Sequence, residues 1–91
     1  MFTYYHTNKQ TLNKHQEFQL FSLGYPLKKD GDIPNTLGEL IDLLPVTLDD
    51  YSRCIIRNEV SYGDVFIFDI YDELIDNIFD ALVTLREENI I

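Results

Sequence analysis

The sequence has no tryptophan, a single cysteine, three prolines and four glycines in 91 residues. With Cys54 alone, no intrachain disulfide can form, which suits a reducing compartment. The opening "MFTYYHTNKQ" lacks a basic segment followed by an apolar one, so no secretory signal is expected there. No apolar run approaches the ~18 residues that a membrane span needs. These features predict a cytoplasmic protein. Basic residues are also scarce: seven Lys and Arg face sixteen Asp and Glu, for a net charge of −9 and a pI near 4.3. Such a chain is not expected to bind nucleic acid or anionic lipid directly, because phosphates need cations. The charge favours solubility, or a basic partner.

The residues of common catalytic sites are missing as well. His6 and His15 are the only histidines, and neither has metal-ligand spacing with the other or with Cys54. His6 among aromatics reads as a packed strand residue, His15 as an exposed one, and Cys54 within "RCIIR" as a small buried apolar residue. There is no glycine-rich phosphate loop and no G-x-S-x-G elbow. "DGDIPNTLGE" opens like a calcium loop, but Pro34 and Ile41 stand where ligands are required. Asp69, Asp72 and Asp76 splay from one face rather than converge on an ion. The expectation is a chain with no cofactor, no metal and no enzymatic activity.

What is present supports one small domain over residues 1–91. The hydrophobic fraction is 45%, with six Phe and six Tyr, enough for a packed core. "FTYYHT" (2–7) reads as a strand. Residues 8–23 are open between a helix, with a Thr7-x-x-Gln10 box, and a strand over "EFQLFSL". "GYPLKKDGDIPN" is a loop. "TLGELIDLL" is a helix, with a Thr36-x-x-Glu39 capping box and a stop at Pro45. A helical start at "TLDDYSRC" is an alternative there. "RCIIRNEV" (53–60) and "DVFIFDI" (64–70) read as strands joined at "SYGD". Residues 70–88 form the longest periodic stretch and predict a helix. The expected fold is α+β: a small antiparallel sheet packed by two helices, the C-terminal one amphipathic with an acidic outer face.

The charge is unevenly placed. Residues 1–29 carry four lysines and one acid, a net of +3; residues 30–91 carry three arginines and fifteen acids, a net of −12. No Lys or Arg falls between Asn58 and Leu85, a stretch holding Glu59, Asp64, Asp69, Asp72, Glu73, Asp76 and Asp80. On a helix begun at Asp69, the acids 69, 72, 73, 76, 80 and Glu87 share an arc of about 100°. Tyr71, Leu74, Ile75, Ile78, Phe79, Leu82 and Leu85 take the other side. Asp72–Asp76 and Asp76–Asp80 are like-charge pairs, each costing ~0.2–0.5 kcal/mol on a helix. Two explanations stay open. One is a solvated outer face, favoured near the N-terminus by the helix dipole. The other is a decoy whose carboxylate rows imitate the phosphates of DNA.

"DIYDELIDNIFD", following "LGELIDLLPVTLDD", resembles the acidic helices of small phage DNA-mimic antirestriction proteins, of the overcome-restriction and Arn kinds. The resemblance lies in size, charge and acidic helix over the last two-thirds of the chain; the basic first 29 residues depart from it. It implies an inhibitor that blocks the DNA site of a basic host protein, a restriction nuclease or nucleoid protein, often as a homodimer. The expected partner-binding surface is Glu59, Asp64, Asp69, Asp72, Glu73, Asp76, Asp80 and Glu87. The alternatives are an immunity- or antitoxin-type protein that plugs one toxin, with Tyr51, Tyr62 and Tyr71 as anchors, or an oligomeric subunit burying Phe79 and Val83.

Overall fold

The computed structural model describes residues 9–91, which form three helices and four strands. The strand expected over 2–7, His6 and the Thr7 end of the first capping box lie outside the described residues. The elements run α1 (Lys14–Ser22), α2 (Leu37–Leu43), β1 (Thr47–Leu48), β2 (Tyr51–Ile56), β3 (Glu59–Tyr62), β4 (Phe66–Phe68) and α3 (Leu74–Glu87). The strands make an antiparallel meander in the order β1-β2-β3-β4. α3 packs on β3 and β4, with α2 and α1 against it. This is the α+β fold expected, with a third helix added.

That third helix resolves the ambiguity over residues 8–23. Asn13 caps α1: its side chain accepts from Gln16 N at 2.8 Å, and the Gln16 side chain accepts from Asn13 N at 3.1 Å. The inward side is Leu12, Gln16, Glu17, Gln19, Leu20 and Leu23, which has helical period but is half polar. Phe18 and Phe21 point outward, 67% and 51% exposed. Apolar periodicity was therefore absent because glutamines face in and phenylalanines face out. α2 begins with the expected Thr36–Glu39 box, and Arg53 covers its last turn, donating to the carbonyls of Ile41 and Leu44 at 2.9 and 3.3 Å.

The strands depart from expectation at their turns. "TLDDYSRC" forms a β-hairpin rather than a helical start, with Asp49 and Asp50 both left-handed at φ 48° and 69°. A two-residue loop with positive φ at both positions matches the twist of its strands, and Asp tolerates it better than most residues. "RCIIRNEV" is likewise two strands folded at Arg57–Asn58, with Arg57 at φ 57°. Neither turn carries glycine, so neither announced itself. The third turn does: Gly63 sits at φ 61° with the Tyr51 ring against it, and a Cβ there would lie 2.5 Å from that ring.

Strand alternation sends Val60, Tyr62 and Phe68 into the core and Cys54, Ile56 and Ile67 outward. Cys54 is thus exposed, not buried as expected. Tyr62 is fully buried; its hydroxyl donates to Pro45 O at 2.6 Å, and burial, opposed by Arg53, pushes the phenol up to about 12. From α3, the side chains of Leu74, Ile75, Ile78, Ala81, Leu82 and Leu85 complete the core with no exposed surface. Among the described residues no helix is long and apolar enough to cross a membrane.

Candidate protein-binding surface

α3 begins at Leu74, not at residue 70. The cause is Asn77, a polar residue with no exposed surface. Its Oδ1 accepts from Tyr71 N at 2.9 Å, and its Nδ2 donates to Tyr71 O at 2.9 Å and Asn58 O at 2.6 Å. Asn58 Nδ2 adds a bond to Tyr71 O at 2.7 Å. Tyr71 N and O are therefore tied to the interior and to the β2–β3 turn, and residues 69–73 form a bridge from β4 to α3. An extended Glu73, at φ −100° and ψ 134°, precedes the first helical residue.

The eight predicted acids do not form one row. Asp69 and Asp72 lie on the bridge, exposed and off the helix, so their place in the helical arc is corrected. Asp64 lies at the opposite end of the sheet, in the β3–β4 turn beside the β1–β2 turn of Asp49 and Asp50. Glu59 and Asp69 come together at the near end, lining a shallow depression with Ile56, Arg57 and Asn58. Asp76, Asp80 and Glu87 remain on one helical face of α3.

Two of the eight are engaged by the basic end of the chain. Lys9 Nζ bonds Asp76 Oδ1 at 2.8 Å, and Gln16 Nε2 reaches the same oxygen at 3.0 Å. Lys9 N donates to Glu73 Oε2 at 3.2 Å. Lys28 similarly meets Glu39 at 3.1 Å and Asp30 at 3.9 Å. Glu39 also accepts from Asn35 N and Thr36 N, and these N–H bonds, with Lys28, hold its carboxyl down at about 2. The opposite charge of the two sequence segments is thus partly an internal contact. The asymmetry in the sequence pointed toward an outside partner and named none of these internal pairs.

Of the remaining predicted acids, Asp64, Asp69, Asp72 and Glu87 are exposed, while Glu59 and Asp80 are half-buried. Every ion pair between described residues uses Lys9, Lys14 or Lys28. Asp64, Asp69, Asp72, Asp80 and Glu87 therefore have no basic partner among the described residues. Arg53 is spent on α2, and Arg86 lies 4.3 Å over the Tyr25 ring. Arg57, at the β2–β3 turn, forms no ion pair with a described residue. Between the acids lie exposed apolar side chains: Ile70 at 71%, Tyr71 at 48% and Ile67 at 48%. Of the three tyrosine anchors considered, Tyr51 and Tyr71 are exposed; Tyr62 is excluded by its burial.

A groove of about 440 Å³ separates α1 from α3, lined by Gln16, Gln19, Phe79, Asp80 and Val83, with the Lys9–Asp76 pair and Tyr71 also at its walls. Phe79 and Val83 are half-buried at its walls. No three His, Cys, Asp or Glu side chains among the described residues gather as a metal-holding group. The surface offers carboxylates and exposed apolar side chains. The sequence matches no protein-family model, and comparison with curated proteins and with solved structures likewise finds no match.

Proposed function

We propose that this protein is a non-catalytic acidic binder that occupies the DNA site of a basic nucleic-acid-binding protein. A restriction nuclease or a nucleoid protein, the targets implied by the resemblance to phage antirestriction proteins, has the required chemistry. The carrying observation is that Asp69, Asp72, Asp80 and Glu87 have no ion pair with any described residue. Their unneutralised field attracts a surface built to grip phosphates and raises its rate of encounter. The reading places the protein in the cytoplasm, where its single thiol stays reduced.

The test is displacement. Immobilised protein should retain basic DNA-binding proteins at low salt, and added duplex DNA should elute them. Retention that duplex DNA leaves unchanged would refute the reading. A second reading, a plug for one specific toxin, is favoured by the exposed Ile70 and Tyr71, which a purely electrostatic decoy does not need. It expects one selective partner whose affinity changes little with salt.

A further inference from the structure

The bridge between β4 and α3 combines two properties that rarely meet in a surface loop. It carries Ile70, the most exposed large hydrophobic side chain among the described residues at 71%, next to Tyr71 at 48%. It is also fastened from below, because the backbone N–H and C=O of Tyr71 both end on the fully buried Asn77. Asn77 and Asn58 join that bridge to the β2–β3 turn. Apolar side chains on a slack loop fold back onto the surface, whereas here the backbone fixes the outward position. Anchors held this way lose little freedom when they bind.

The surroundings define what could cover them. Asp69 and Asp72 flank the pair in sequence, both exposed and without an ion pair among the described residues. Glu59 joins Asp69 at the adjoining depression, where Arg57 is the one cation in the lining. The patch is therefore apolar at its centre and negative at its rim, the usual anatomy of a protein interface. A second copy of this chain would bring the same acids against these. A segment with an apolar side chain between lysines or arginines complements both parts.

We infer that Ile70 and Tyr71, rimmed by Asp69, Asp72 and Glu59, form a preorganised anchor for a basic amphipathic segment of a partner protein. The inference rests on the proposed acidic binding role and adds that charge alone does not seat the partner.

The probe is a synthetic amphipathic helix of Lys and Leu, compared with a peptide of equal charge made of Lys and Ser. Binding is followed by amide chemical shifts and by titration at low salt. The amphipathic peptide should bind more tightly and perturb amides at 58–59 and 69–72. Ile70→Ser with Tyr71→Ser should weaken it at least about tenfold, as loss of a hot spot does. Ile70 is largely in solvent and Tyr71 about half exposed, and the Tyr71 backbone bonds to Asn77 are kept, so the fold should survive, as checked by melting temperature. Phe18→Ser with Phe21→Ser, at exposed apolar side chains on α1, should change nothing. Equal binding of the two peptides, with no effect of the Ile70/Tyr71 change, would overturn the anchor while leaving the acidic role intact. Failure of both peptides to bind would overturn both. Shifts gathered around Phe18 and Phe21 would overturn the anchor by locating it elsewhere. Conversion of a wild-type dimer to a monomer by the Ile70/Tyr71 change would identify the occupant as a second copy.

Discussion

Asn77 shows how one side chain fixes both a boundary and a surface. Its carboxamide makes three bonds, to Tyr71 N, Tyr71 O and Asn58 O. Asn77→Ala leaves these groups without that partner and opens a small void, so unfolding free energy should fall by ~1–3 kcal/mol. Urea denaturation measures it, and a change near zero would mean that water replaces the amide at no cost. Glu39 acts through charge. Its carboxyl is lowered to about 2 by the Asn35 and Thr36 N–H groups and Lys28. A lowered acid stabilises the fold above its unfolded pKa of ~4.3, and that contribution is lost as pH falls through the folded value. Glu39→Gln should therefore show a shallower loss of stability between pH ~4.3 and 2 than the wild type. Parallel urea midpoints across that window would contradict the assignment. Neither role was visible in the same way: Thr36-x-x-Glu39 is a local pattern that sequence shows, whereas Asn77 looked like one more polar position in an amphipathic helix.

At the scale of elements, the legible parts were those with local signals. α2 carried its capping box, and the core face of α3 carried its period, from Leu74 through Leu85. The α1 face and two hairpin turns were hidden because glutamines face inward and the turns use Asp and Arg at positive φ. The start of α3 was hidden because its acids and apolar residues continue in register beyond the helix, into a bridge set by a tertiary contact. The β3–β4 turn invites a coupled test. Gly63 has φ 61° and no room for a Cβ beside the Tyr51 ring. Gly63→Ala should destabilise by ~1–3 kcal/mol, from the left-handed backbone and the clash together. In a Tyr51→Ala background only the backbone part should remain, ~1 kcal/mol. Equal costs in both backgrounds would remove the ring from the account.

At the scale of the whole molecule, the acidic surface is real in amount and different in shape from the one the sequence projects. Asp76 and Glu73 hold Lys9, Asp64 sits at the far end of the sheet, and Asp69 and Asp72 leave the helix. A straight file of carboxylates on one helix is replaced by a shorter face on α3 and a negative rim around two apolar side chains. The central claim is that this charge seats a basic, DNA-binding partner. The most direct measurement is the salt dependence of the captured complex for the wild type and for Asp69→Asn/Asp72→Asn/Asp80→Asn, a set that spares the internal Lys9–Asp76 pair. The account predicts wild-type affinity that falls steeply with salt, and a variant that keeps its fold, binds more weakly and shows a flatter slope. Identical affinity and identical slope in the two proteins would contradict it.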